Sequence, residues 1–140
     1  MKPKRLLLLS ALLITAVGLG FYLYVFVFSA KHRTAAEVAG IPVRADSLVM
    51  AFEADEVSAN ARYLKQVLRV TGAVLEKGTN QQGQQTLMLG RAEDFAHVYV
   101  TMEQTINTAV GDTITVKGFC NGFLSDVVLT SGIPADRAIN

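Results

Sequence analysis

Between Arg5 and Lys31 the chain runs for 25 residues, Leu6 to Ala30, without a charge. At about 1.5 Å per residue a helix of that length spans roughly 37 Å, enough to cross a ~30 Å hydrocarbon core with some tilt. Only Ser10, Thr15 and Ser29 within it are strongly polar, and Tyr22 and Tyr24 fall toward its far end, where amphipathic rings settle at an interface. The run is therefore expected to be an uncleaved membrane anchor, residues 1–30 with the apolar part at 6–30. The alternative is a cleaved signal, with a weak site after Gly18 or after Ser29. A signal's apolar region is usually shorter, about 7–15 residues. No cysteine stands at the end of the run, so it is not a lipoprotein signal. Lys2, Lys4 and Arg5 precede the run, and Lys31 and Arg33 follow it. This excess at the N-terminal side keeps the short N-terminus inside and exports the rest. The expectation is a single-pass protein of the inner (cytoplasmic) membrane with its domain on the exported side.

The remaining length has room for one domain. From Thr34 onward eight Lys/Arg face all twelve Asp/Glu, so the domain carries −4 although the whole chain is +1. A net negative domain repels phosphate backbones at long range, and its eight basic residues are scattered along the sequence. Cys120 is the only cysteine, which excludes an internal disulfide and a cysteine metal cluster. It is expected to be buried and inert. No metal or cofactor is expected.

Residues 31–45 read as a linker, punctuated by Gly40 and Pro42. Asp46 or Ser47 then offers an N-cap. Leu48, Val49, Phe52, Val57, Ala59 and Tyr63 give a helical apolar pattern that ends near Arg62, with Glu53, Asp55 and Glu56 on a solvated side.

From Lys65 the period switches to two, the strand signal. Five strands are expected, at about 66–76, 85–89, 96–102, 113–120 and 127–129. In the first, Leu68, Val70 and Val74 share one face, while Val67, Arg69 and Thr71 share the other. Gly72 interrupts it, as at a bulge or sharp bend. In the third, Val98, Val100 and Met102 point inward and His97, Tyr99 and Thr101 outward. In the fourth, Ile114, Val116 and Cys120 alternate with Thr115, Lys117 and Phe119. Asn121-Gly122 is the strongest local turn signal. The segment 103–110 is a connection with room for one helical turn, and the tail at 132–140 looks loose. One helix and five short strands with a bent first strand fit a mainly β chain: a five-stranded Greek-key OB-type barrel of residues 46–131 behind a transmembrane helix. Closing the sheet removes the edges that an open one leaves exposed.

Ala45-Asp46-Ser47-Leu48 through Phe52-Glu53-Ala54-Asp55-Glu56, with Ala59-Asn60-Ala61 and Tyr63-Leu64, resembles the helix that opens the tRNA_anti-like OB-fold proteins. Val70-Thr71-Gly72-Ala73-Val74 is similar to that family's first strand. Gly111 through Gly122 (Gly-Asp-Thr-Ile-Thr-Val-Lys-Gly-Phe-Cys-Asn-Gly) with Asp126-Val127-Val128-Leu129 is similar to its closing strands. The resemblance covers about Asp46 to Ser131. It implies a small bacterial OB protein, often exported or lipid-anchored, and supplies no catalytic residues to carry over. The family name reflects likeness to anticodon-binding domains and is no evidence of tRNA binding. The apolar helix here replaces the cysteine of lipid-anchored members.

The expected function is a non-catalytic binding or interaction module tethered at the membrane, with a protein or small ligand as partner. Its interaction face is expected to comprise Arg69, Thr71, His97, Tyr99 and Lys117, the outward set on the strands that OB barrels use for ligands. The plain alternative is that these are ordinary solvent-facing residues. An enzyme would need a nucleophile and base in a convergent set, and His97 is the domain's one base of that type. A nucleic-acid or oligosaccharide ligand is the alternative, although nucleic-acid sites combine a positive groove with stacking aromatics.

Overall fold

The computed structural model describes residues 2–28 and 35–135 of the chain, which forms two compact units. The first unit is the helix α1 (Pro3–Phe28), long and apolar enough to cross a membrane, with side chains exposed along its described length. Nothing polar interrupts its backbone ladder, because Ser10 and Thr15 turn their hydroxyls back onto carbonyls three and four residues earlier. Ser29 and Ala30, the last residues of the expected anchor, lie outside the described residues, as do Lys31 and Arg33.

The second unit is a closed five-stranded barrel with a sixth, edge strand and a helical plug. Its strands are β1 (Ile41–Arg44), β2 (Val67–Thr79), β3 (Gln85–Gly90), β4 (Val98–Met102), β5 (Thr113–Phe123) and β6 (Val127–Pro134). β2, β3, β4, β6 and β5 pair in that order, and β5 returns to β2, which closes the barrel. This is the Greek-key OB arrangement that the strand count and bent first strand suggested. The alternation holds at the inward positions, where Val70, Val74, Val98, Val100, Val116 and Leu129 are fully buried, and Arg69 is exposed; Val67, expected outside with Arg69 and Thr71, is instead buried at the start of β2, where it pairs with Phe119.

β2 serves both halves of the barrel. Its residues 67–73 pair with β5 and its residues 73–79 with β3. The register slips at Leu75, a bulge that bends the strand. Gly72 has a different role from the bulge expected there. A Cβ at this position would stand 2.8 Å from the Ala45 Cβ and 3.3 Å from that of Leu89, so glycine lets the first helix of the plug approach the sheet.

Several expectations need correction. The segment 31–45 is not all linker: Ala35–Glu37 forms a 3-10 turn, and β1 pairs in parallel with β2, Ile41 beside Leu68 through Arg44 beside Thr71. Ile41-Pro42-Val43-Arg44 alternates half-buried with exposed, a strand signal masked by Pro42, which an edge strand tolerates. The single helix is two, α2 (Ala45–Ala54) and α3 (Glu56–Tyr63), broken at Asp55. Arg44 occupies the N-cap of α2 without a side-chain cap, and Asp46 lies in the first turn; Asp55 caps α3 by accepting from the Ser58 N–H at 3.2 Å. Because of the break, Val57 faces solvent at 80% exposure instead of joining the apolar stripe. β5 runs through Asn121-Gly122, so the turn falls at 124–126, and β6 continues past Ser131 to Pro134. The connection 103–110 holds no helix.

α2 closes one end of the barrel. Leu48, Val49 and Phe52 are buried, and the Phe52 ring stacks on Phe123 at 5.9 Å and meets Tyr63 at 6.2 Å. Near the β2–β3 turn, the amide of the buried Gln85 bonds both the carbonyl and the N–H of Ile106, and Lys77 donates to the Thr108 carbonyl. These bonds hold an irregular connection with side chains in place of a ladder.

Candidate binding surface

The outward residues divide between two faces. The first is the outer surface of β1, β2 before its bulge, and β5. Register aligns Pro42, Arg69 and Lys117 in one row, and Arg44, Thr71 and Thr115 in the next. These strand segments contain no aspartate or glutamate. The Arg69 guanidinium makes no hydrogen bond or ion pair with the described residues. Lys117 donates to the Val38 carbonyl at 3.0 Å, so the segment entering the barrel crosses the edge of this face. The Thr71 and Thr115 hydroxyls bond each other at 2.8 Å. Arg44 pairs with Asp46 at 3.2 Å, and that contact holds the Asp46 carboxyl below its ordinary range. A cleft of about 180 Å³ opens at the rim, lined by Arg44, Asp46, Thr71, Gly72, Arg91 and Thr113 among others. Arg91 is held at this rim by Asp94 at 2.9 Å and by Glu93 at 3.7 Å. Basic residues that are scattered in sequence thus come together, and only Arg69 and Lys117 of them were singled out beforehand. Arg44 was hidden in the presumed linker, and Arg91 in a turn; the alternation of 41–44 was the available signal for Arg44.

The second face is the outside of β2 beyond the bulge, β3 and β4. One row runs Glu76, Met88, Tyr99 and Val128 across four strands. Met88, Tyr99 and Val128 are half-buried and Glu76 is exposed. A hollow of about 40 Å³ lies beside Tyr99, lined by Glu76, Gly78, Thr86, Leu87 and Met88. This surface offers an aromatic ring, a thioether, a methyl-bearing hydroxyl and one carboxylate.

His97 belongs to neither face. Its ring, 17% exposed, has Nε2 3.1 Å from the Arg91 carbonyl and Nδ1 3.8 Å from an Asp126 oxygen. Its backbone N–H donates to Asp126 at 2.8 Å, and its carbonyl accepts from Val127. His97 therefore ties the β3–β4 and β5–β6 connections together. The five residues expected as one surface are split: Arg69, Thr71 and Lys117 on one face, Tyr99 on the other, His97 in a latch between loops.

Chemistry is sparse on both faces. Cys120 is fully buried, and burial pushes its thiol pKa up, away from the reactive thiolate. Among the described residues no three His, Cys, Asp or Glu side chains gather as metal ligands.

The fold is shared with a lipoprotein from Klebsiella pneumoniae subsp. pneumoniae, provisionally described as nucleic acid-binding. The two superpose with a TM-score of 0.51 at 11% identity, over 66% of this chain and 91% of that one. Such a likeness carries the fold alone. No curated protein matches the chain. The family model for tRNA_anti-like proteins matches residues 1–131, almost the full length and including the apolar helix. The chain is a member of the tRNA_anti-like family, built as an OB-type barrel that follows one membrane-length helix in the sequence.

Proposed function

We propose that the protein is a non-catalytic OB-fold module, tethered to a membrane by residues 6–30, that binds a protein segment or small uncharged ligand at the surface around Tyr99. The observation that supports this most is the position of Tyr99. It stands half-exposed in the row Glu76–Met88–Tyr99–Val128, on the second and third barrel strands that OB folds use for ligands. Aromatic, thioether and hydroxyl groups suit a ligand with an apolar body and hydrogen-bonding edges, whereas Glu76 and the net −4 of residues 34–140 oppose a polyanion. Captures from detergent-solubilised membranes by the full chain and by Tyr99→Ala would test it. The bound partner should be lost with Tyr99→Ala and retained with Arg69→Gln. Equal capture by both variants would remove Tyr99 from the site.

A second reading rests on a specific observation, the gathering of Arg44, Arg69 and Lys117. On that reading the face takes the phosphate backbone of a nucleic acid, the ligand class in the provisional description of the Klebsiella lipoprotein.

A further inference from the structure

We propose that the face formed by β1, β5 and the first half of β2 docks on an anionic lipid surface through Arg44, Arg69 and Lys117. The inference rests on the reading of residues 6–30 as a membrane anchor and adds an orientation to it. Three arguments converge. The first is charge. Three of the eight basic residues after Thr34 point outward from three adjoining strand segments that carry no carboxylate. Among the described residues the Arg69 guanidinium has no partner to give up, and Asp46 is the one acid paired with the group.

The second is the path of the chain. Residues 29–34 join the apolar helix to Ala35, and six residues reach at most about 20 Å when extended. Three residues after Ala35 the Val38 carbonyl accepts from Lys117, and Gly40 packs on Arg69, where a Cβ would meet the Arg69 backbone nitrogen at 3.3 Å. The tether thus enters the barrel at the edge of the basic face, and Lys31 and Arg33 in the spacer carry the same sign. The length of the spacer bounds how far Ala35 can stand from the end of an inserted helix.

The third is the placement of the acids. Glu53 and Glu56 lie on the helices with Asp55 between them, and Glu93, Asp94 and Asp126 lie in the β3–β4 and β5–β6 loops, while Glu37 before Val38 and Asp112 before β5 border the basic face at its edges. A unit of net −4 is repelled by an anionic surface as a whole, yet this segregation gives it one attractive side. Juxtamembrane basic groups act on anionic lipid within a Debye length, so docking should be reversed by salt. With the basic face on the membrane, the Tyr99 face, which lies across other strands, stays open to a ligand.

The test uses the full chain inserted in vesicles, with a fluorophore on Pro42→Cys, an exposed position beside Arg69; Cys120 is buried and does not label. Vesicles are phosphatidylcholine alone or phosphatidylcholine with phosphatidylglycerol, each carrying a headgroup-level quencher lipid. Flotation reports insertion, and quenching reports docking. The expected result is flotation in both, with quenching only where phosphatidylglycerol is present and lost at high salt. Arg44→Gln/Arg69→Gln, which leaves the Lys117 contact intact, should float equally and weaken docking roughly thirty-fold, at the usual strength per basic group near an anionic surface. Flotation without lipid-dependent quenching would overturn docking and leave the anchor standing. Absence of flotation would overturn both. Binding of a labelled oligonucleotide, lost in the double variant and unaccompanied by quenching, would overturn docking in favour of a nucleic-acid face.

Discussion

Val116 and Lys117 show how much one residue of register decides. Val116 is fully buried opposite Val70, and Lys117 lies outside opposite Arg69. The period-two pattern made both sides legible in the sequence, because a slip by one would put lysine in the core. Val116→Asp should leave the barrel unfolded, since it buries an unpaired charge, and circular dichroism of the detergent-solubilised chain would check it. A cooperative melt near that of the wild type would show the register to be wrong. Leu129→Ala, at another fully buried site, should cost about 2–5 kcal/mol by cavity formation. What the pattern could not show is the partner of each outward side chain. Alternation placed His97 outside, but its ring and N–H are taken up by Arg91 and Asp126, contacts 6 and 29 residues away in sequence. Lys117 is likewise engaged by Val38 from 79 residues away, so Lys117→Ala should loosen the entering segment, read as faster amide exchange at 35–40.

At the level of elements, strands were more legible than the helical plug. β2, β4 and β5 announce themselves through two faces of opposite character, while β1 was masked by Pro42 and β3 is buried almost throughout; the break between α2 and α3 depends on one residue. Asp55 is extended at φ −158°, ψ 95°, and caps the following helix through Ser58, whose hydroxyl donates to it at 2.6 Å. Asp55 belongs to an acidic run, and its capping role is visible only in the spacing Asp-x-x-Ser. Those hydrogen bonds lower the Asp55 pKa below its ordinary 3.8. A carboxyl with a lower folded-state than unfolded-state pKa contributes stability fully above 3.8 and loses it as pH falls through the folded value. Asp55→Asn should keep the cap and lose that part of the acid dependence; Asp55→Ala should lose both, with exchange at 56–63 accelerated. Acid melts of the three forms that coincide would dismiss the cap. Gly72 offers a second check on the plug. Gly72→Ala sets a Cβ 2.8 Å from that of Ala45, so α2 must shift, and the expected result is a lower melting temperature with an intact sheet signal.

For the whole molecule, net charge and charge placement give different answers, and only the first could be read along the chain. The −4 of residues 34–140 argues against a polyanion, yet folding gathers Arg44, Arg69 and Lys117 on one side. Whether that side suffices for nucleic acid turns on stacking. Single-strand sites set several aromatic rings along the basic groove, each contributing about 1–3 kcal/mol per base. Here Tyr99 stands on β4, across the barrel's other face, and Phe119, half-buried two residues beyond Lys117, is the one ring among the described residues of β1, β2 and β5 beside the basic rows. Three cations and one partly covered ring make few phosphate contacts and one stack. Such a surface should bind single strands no more tightly than ordinary non-specific association, about 10⁻⁴–10⁻⁶ M, and less at physiological salt. Fluorescence anisotropy of a labelled oligonucleotide against the full chain in neutral detergent would decide it. The expected titration is incomplete at low salt and flat once salt is added. Saturable binding well below micromolar, weakened by Arg69→Gln and by Phe119→Ala together, would show that Phe119 and the basic rows form one groove. It would also move the ligand from the Tyr99 surface to the opposite side of the barrel.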